Sequence, residues 1–443
     1  MKKLLVAGFA AAIFCGASAL ASDMPVKAPI YKAAEPLFDW NGLYVGVYAG
    51  IGTQQSRGFD PTGAREGSAG RLEYTGSGFT GGGTAGYNWQ FNRNWLVGIE
   101  GDIGYLGLSH NVSDYFAIIS YNSRTSWLGT LRGRVGYVNG PTLSYITGGG
   151  AWLNFTDSLV STFGAGSQAS SAKTNGGYAF GSGVETMLGG NWTAKAEYLH
   201  IDVGSGNTLT GTGGFVLQTD KHRYEVMRFG LNYLFGGKGQ PPLPAHHWTG
   251  FYAGIIGGTA VMQARGSEPM PFFGGQIGNN GDGLTVGGVA GYNWQFAPSL
   301  VAGVEGDFSY LGINHTNLNY TDPIVMLGVK TSSLATLRGR VGYSTGPALL
   351  YVTGGGAWIK VRDSWQADNS GGGPLVTASK VLSGFTVGGG IETALQGNWT
   401  SKTEYLYVDG GKGDILVSAG VPMQIDHIFH VFRSALIYKF GSQ

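Results

Sequence analysis

Trp95-Leu-Val-Gly-Ile-Glu-Gly-Asp-Ile-Gly-Tyr105 decides how this chain folds. Its odd positions read Trp95, Val97, Ile99, Gly101, Ile103 and Tyr105, while the even positions include Gly98, Glu100, Asp102 and Gly104. A period of two marks a strand with one apolar face and one polar face. Trp127 to Tyr137 repeats the pattern, with Leu131, Val135 and Tyr137 on one side and Thr130, Arg132 and Arg134 on the other. A helix would place Arg132 and Arg134 at different points of its circumference, whereas a strand sets them on one face. In Phe79 to Phe91, Phe79, Ala85, Tyr87, Trp89 and Phe91 alternate in the same way with Thr80, Thr84, Asn88 and Gln90.

Eight such segments lie near residues 41–54, 74–91, 95–110, 124–138, 142–157, 175–188, 192–205 and 222–235. Short connections (Asn92-Arg-Asn94, Asn139-Gly-Pro141, Gly189-Gly-Asn191) alternate with long Gly- and Ser-rich ones over 55–73, 111–123, 158–174 and 206–221. The whole unit then recurs. Thr130-Leu-Arg-Gly-Arg-Val-Gly-Tyr137 returns letter for letter at Thr336 to Tyr343, and Thr147-Gly-Gly-Gly-Ala-Trp152 at Thr353 to Trp358. Glu100-Gly-Asp102 returns as Glu305-Gly-Asp307. The two copies span 40–235 and 248–443, and the Gly- and Pro-rich stretch 236–247 between them reads as a linker.

Composition narrows the class. Glycine supplies 80 of 443 residues, only 12% are charged and 13% are aromatic. So few charges poorly suit a pair of water-soluble domains, and the aromatic content argues against disorder. The formal charge of +1, with no basic stripe, gives no support to nucleic-acid binding. Lys2-Lys3, the apolar run Leu4–Cys15 and Ala19-Leu20-Ala21 form an export leader over residues 1–21. An uncleaved anchor is disfavoured because the run is shorter than the ~20 residues of a spanning helix. The only cysteine, Cys15, lies in this leader, so no disulfide or thiolate chemistry is expected in the mature chain. Residues 22–39 read as a periplasmic N-terminal segment.

Alternating strands with short turns at one end and long loops at the other describe an up-and-down antiparallel β-barrel of the outer membrane. Closure is required because hydrocarbon offers no partner to an open edge. The aromatics at the short-turn ends, Tyr87, Trp89, Phe91, Trp95, Tyr137, Trp192, Tyr233 and Phe235, fit an interfacial girdle. A soluble eight-stranded barrel is the alternative, but it would carry more surface charge and need no leader.

The polar face then points into the barrel, and its charges balance. Glu100, Asp102, Glu185 and Glu197 face Arg132, Arg134, Lys195 and Arg228. In the second copy Glu305, Asp307, Glu392 and Glu404 face Arg338, Arg340, Lys402 and Arg433. Buried charges persist when paired and hydrogen-bonded, so each unit is expected to hold its own structural ion-pair network. No nucleophile–base pair accompanies the carboxylates, so the chain reads as no enzyme. No cofactor or metal is expected either. The Gly-x-Gly runs open no helix, two adjacent histidines (His246-His247) fall short of a metal site, and Glu100 and Asp102 face arginines.

The chain resembles the small outer-membrane barrel proteins of alphaproteobacteria, called outer-membrane immunogenic or porin-family proteins. The likeness rests on Pro25-Val-Lys-Ala-Pro-Ile-Tyr-Lys32, Trp40-Asn-Gly-Leu-Tyr44, Trp248-Thr-Gly-Phe-Tyr252, Gly86-Tyr-Asn-Trp-Gln90, Leu131-Arg-Gly-Arg-Val-Gly-Tyr137, Glu197-Tyr198, Leu231-Asn-Tyr-Leu-Phe235 and Leu436-Ile-Tyr-Lys-Phe440. It implies an eight-stranded barrel at the cell surface of a Gram-negative envelope. Its partners would be outer-membrane lipid, lipopolysaccharide, the assembly machinery and extracellular or host surfaces. This chain departs from the family in its doubling and in the tail Gly441-Ser-Gln443 after the terminal aromatic.

Sixteen strands make either two eight-stranded barrels or one porin-sized barrel with a channel. The self-balanced charges of each unit favour two. Pairing of residues 41–51 with 223–235 means two barrels; pairing with 427–440 means one. The expected function is a structural surface protein of the envelope, with a diffusion channel for small hydrophilic solutes as the alternative.

Overall fold

The computed structural model describes residues 38–59, 71–113, 119–161, 167–204, 206–210, 216–235, 243, 245–267, 276–319, 324–368, 375–416 and 422–441. The leader, the Pro25–Lys32 motif, most of the linker and the last two residues of the tail lie outside these.

The first copy forms β1 (Gly42–Phe59), β2 (Arg71–Gln90), β3 (Trp95–Ser113), β4 (Ile119–Asn139), β5 (Thr142–Ser161), β6 (Ser167–Gly189), β7 (Trp192–Asp202), the short β8 (Thr208–Thr210) and β9 (Val216–Leu234). Each neighbour pair is antiparallel, and β1 closes the ring on β9 with Tyr44 opposite Leu234 and Ile51 opposite Met227. The second copy forms β10 (Gly250–Ser267), β11 (Gln276–Ala297), β12 (Leu300–Leu311), β13 (Asn314–Asn319), β14 (Ile324–Ser344), β15 (Ala348–Asp368), β16 (Val376–Ala394), β17 (Trp399–Leu416) and β18 (Pro422–Lys439). There β10 pairs with β18, Tyr252 opposite Lys439. Residues 41–51 therefore meet the end of their own copy, and the chain is two closed barrels of eight strands, with β8 and β13 as short continuations.

Alternation sets what each wall faces. Leu131 is 52% exposed while its neighbour Arg132 is 1% exposed, and Ile99 at 53% adjoins Glu100 at 1%. The apolar face is outside and the charged face inside, the reverse of a soluble barrel. At the short-turn ends the rings of Trp95 and Tyr137 meet edge-on at 5.5 Å, and those of Trp192 and Tyr233 at 5.2 Å. Tyr87, Trp89, Phe91 and Phe235 are also exposed there. A second set of exposed aromatics, Phe79, Tyr105 and Trp152, lies about ten residues further along the strands. With strands tilted at about 40° and a rise of ~3.3 Å per residue, the two sets stand about 25 Å apart, the height of an apolar membrane band.

The strands run beyond the ends expected from alternation. β1 continues to Phe59, β4 begins at Ile119 and β6 at Ser167, so much of the long Gly- and Ser-rich connections is paired hairpin. An antiparallel ladder satisfies its backbone groups in water as well as in lipid. Outside the hydrocarbon neither face needs to be apolar, and the alternation disappears while the pairing persists. At the opposite end the turns are tight: Gly190 and Gly397 take φ of 56° and 64°, a left-handed conformation that glycine adopts without a Cβ penalty.

Candidate functional site: a filled lumen in each barrel

The first lumen is layered from the short-turn end outward. Trp40 is buried in the mouth, donating from Nε1 to the Gly140 carbonyl at 3.4 Å, amid Phe38, Leu96, Val138 and Leu143. The ion-pair layer follows. Arg132 reaches Glu100 at 2.6 Å, Asp102 at 2.9 Å and Glu197 at 3.1 Å. Arg228 donates to both oxygens of Asp102 at 3.0 and 2.8 Å and from Nε to Glu197 at 2.7 Å. Lys195 reaches Glu100 at 2.7 Å, and Arg134 reaches Glu185 at 3.0 Å. All eight sequence-identified charges lie within this one layer.

Neutral groups complete it: the sequence places Thr130 and Asn88 on the inward face without indicating their partners, and Tyr44, Tyr145 and Thr193 escaped that reading. Tyr44 Oη donates to Glu100 at 2.7 Å and Tyr145 Oη to Glu197 at 2.9 Å. Thr130 donates to Asp102 at 2.6 Å and Thr193 to Glu185 at 2.6 Å. Asn88 accepts from Arg134 at 2.6 Å. The Arg134 guanidinium also lies over the rings of Tyr44 and Tyr145, 4.6 and 5.2 Å from their centroids. Their signal was present: each sits at inward parity, and Asn88 lies in a motif repeated at Asn293.

Beyond the ions comes an apolar layer of Leu106, Leu128, Leu153, Phe155, Ile201 and Val226, all buried. A smaller polar group lies outside it. Ser56 Oγ lies 2.6 Å from His222 Nδ1, and Asn207 donates to Asp157 at 3.0 Å.

The second lumen repeats the order. Trp248 donates to Ser344 at 2.9 Å and to the Gly346 carbonyl at 3.1 Å. Arg338 meets Asp307 at 2.9 Å and Glu404 at 3.2 Å, Lys402 meets Glu305 at 2.7 Å and Arg340 meets Glu392 at 2.9 Å. Arg433 chelates Asp307 at 2.9 and 2.7 Å. Tyr252 and Tyr351 serve Glu305 and Glu404, each at 2.8 Å. Leu311, Leu334, Ile359 and Val408 form the apolar layer, and His427 meets Asp363 at 3.1 Å beyond it. The copies differ at several lining positions: Asn232, which donates to Glu185 at 2.7 Å, is replaced by Ile437, and Tyr48, whose ring centroid lies 4.4 Å from the Arg228 guanidinium, by Ile256.

The linker histidines sit apart. His246 packs edge-on against Trp248 at 4.7 Å, and burial with Lys439 nearby pushes its pKa down to about 4. Lys439 donates to the His247 carbonyl. Among the described residues no three His, Cys, Asp or Glu side chains are placed to share a metal ion.

Chemically, each site is a set of mutually neutralised charges that ties non-adjacent strands together. The sequence matches the family described as outer membrane protein beta-barrel domain twice, over residues 7–235 and 232–421. It is 34% identical over 249 residues to the 31 kDa outer-membrane immunogenic protein of Brucella melitensis, covering 53% of this chain and all of that one. It is 35% identical over 185 residues to the 22 kDa outer membrane protein of Rhizobium leguminosarum bv. viciae, covering 41% of this chain and 72% of that one. Among solved structures it is similar to Ail, the attachment invasion locus protein of Yersinia pestis, with a TM-score of 0.24, 16% identity, and coverage of 44% and 99%. Doubly matched along its length, the chain belongs to the outer-membrane β-barrel family and is an outer-membrane protein with two copies of the family's barrel domain.

Proposed function

We propose that the protein is a non-conducting, non-enzymatic structural component of the cell surface, whose barrels serve as membrane anchors for the outward hairpins. One observation carries this reading: each lumen is filled at three successive depths, by Trp40 or Trp248, by the ion pairs and by the aliphatic layer. A hydrated path would have to part all three, and parting the ion layer strands buried charges without partners. The charges are also engaged with one another, which leaves none poised for acid–base work.

The partners we propose are lipid and lipopolysaccharide around the apolar walls, the assembly machinery at the strand ends, and extracellular or host surfaces at the hairpins. The naming of relatives as immunogenic supports outward display.

Planar-bilayer recording of the purified protein is the test, with no stable conductance expected. A large, long-lived conductance step would overturn the reading in favour of a diffusion channel. Display is tested separately with single cysteines, since the mature chain has none. Lys173→Cys on β6 is expected to react with an impermeant maleimide on intact cells, and Asn92→Cys in a short turn only after the outer membrane is opened.

A further inference from the structure

Outward-facing residues are exposed over most of each wall, as with Ile103 at 66% and Phe308 at 64%. One strip of each barrel breaks this rule. Ala194, Ala196 and Met227 point outward from the first barrel yet are 0–2% exposed, and Val261, Ile391 and Phe432 from the second are 0–3% exposed. They form a single apolar cluster, within which the rings of Tyr198 and Phe432 lie 5.6 Å apart.

The two strips are the same strip. Aligning the copies puts Ala194, Ala196 and Tyr198 on Ser401, Thr403 and Tyr405, Met227 on Phe432, Val184 on Ile391, and Thr53 on Val261. Contacts between strands repeat with the copies exchanged. β2 lies against its own counterpart β11, and β3 touches β11 as β13, the continuation of β12, touches β2. An interface in which residue i meets j while the equivalent of j meets the equivalent of i is isologous, the arrangement of a two-fold dimer.

We propose that the two barrels dock on each other in the membrane as an internal pseudo-two-fold dimer, each using the same outward strip, with the other barrel of the same chain as the partner. Hydrocarbon offers no apolar driving force for this, so contact must come from close packing. The small side chains of Ala194, Ala196, Ser401 and Thr403 let the walls approach.

A polar feature of the strip selects the partner. Glu225 points outward and is buried, accepting from Tyr198 Oη at 2.5 Å and lying 2.8 Å from His200 Nδ1. Its equivalent in the second copy is His430, also outward and buried, with Nδ1 2.8 Å from Tyr405 Oη. An ionisable side chain facing lipid is unfavourable, and docking covers both. Pairing two first barrels from different chains would bring a second Glu225 to the strip, whereas pairing within the chain brings His430. The linker favours the same choice by holding the copies at high effective concentration.

The cysteine-free mature chain permits a direct test in native outer membranes with a short thiol-specific bifunctional cross-linker. Tyr198→Cys/Phe432→Cys is expected to cross-link within the chain, several-fold more than the exposed control Ile103→Cys/Phe308→Cys. The symmetry-related pair Met227→Cys/Tyr405→Cys is expected to match the first, and it also serves if the first variant fails to assemble. Heat-dependent gel mobility reports assembly, and a monofunctional maleimide reports thiol reactivity. Equal yields in strip and control pairs would overturn the proposal. So would cross-links found only between chains, or no cross-link from reactive thiols in an assembled variant.

Discussion

Arg228 grips both carboxylate oxygens of Asp102 across the first lumen, at 3.0 and 2.8 Å, although the two residues are 126 positions apart and β1 and β2 lie between their strands. Arg433 and Asp307 repeat the grip in the second lumen, also 126 positions apart. Neighbouring strands are already joined by backbone ladders. What the ion pairs add is a link through the interior between strands that share no hydrogen bonds, and this fixes the section of the barrel.

Asp102→Ala removes the partner shared by Arg228 and Arg132 and leaves two buried guanidinium groups short of an acceptor. The expected cost is about 3–5 kcal/mol, the range for breaking a buried pair from one side. Urea unfolding in lipid vesicles should show it as an earlier transition for one barrel only, because the second has its own network. Asp307→Ala should move the other transition. A loss below about 1 kcal/mol in both would mean that the network does not hold the wall.

Gly86 faces inward where a Cβ would run into the Tyr44 hydroxyl and come within 2.6 Å of the Ile99 carbonyl oxygen. Gly86→Ala is expected to destabilise by about 1–3 kcal/mol, the usual cost of overpacking. Tyr44→Phe in the same chain removes the hydroxyl but neither the ring Cζ that the added Cβ also meets nor the backbone contact, so rescue should be partial. Full rescue, measured in the same unfolding experiment, would show that neither remaining contact carries strain.

These positions also mark what the sequence allowed one to read. Glu100 and Arg132 sit at inward parity in strands whose other face is apolar, and both recur at Glu305 and Arg338, so side and copy number were legible. Partner choice was not. The contact between Arg228 and Asp102 depends on the stagger accumulated over three strand pairings, and alternation carries no information on stagger. Asn88 was legible as inward but not its partner, and Tyr44 and Tyr145 escaped because a neutral polar residue on an inward face has no charge to balance. Strand ends such as Phe59 and Ser167 escaped for a different reason: above the membrane the ladder continues but the solvent contrast that produces alternation does not. The shared strip was hidden because Ala196 and Met227 look like any other lipid-facing residues until the second barrel covers them.

Ile99 is 53% exposed on the lipid face, about four residues or ~10 Å above the Trp95 girdle and so near the middle of the apolar band. Ile99→Lys is expected to cost about 2–4 kcal/mol, as basic residues do at the midplane of a barrel wall. Asn92→Lys, in an exposed turn below the girdle, should cost only about 1 kcal/mol, through the hydrogen bonds that Asn92 Oδ1 accepts from the Asn94 and Trp95 amides. If the two substitutions shifted unfolding in vesicles equally, Ile99 would not face hydrocarbon, and the assignment of inside and outside would be inverted.

Trp40 closes the mouth but is only the first of three blocking layers. Trp40→Ala deletes a large buried ring and is expected to destabilise the first barrel by about 3–5 kcal/mol through the cavity it leaves. It should nevertheless leave the bilayer conductance of the purified protein at baseline, because Arg132, Arg134 and their carboxylates still fill the section above. The same separation of stability from conductance is expected for Trp248→Ala in the second barrel. A stable open state in either single variant would mean that the ion-pair layer passes solutes and that the tryptophan alone had kept the lumen shut.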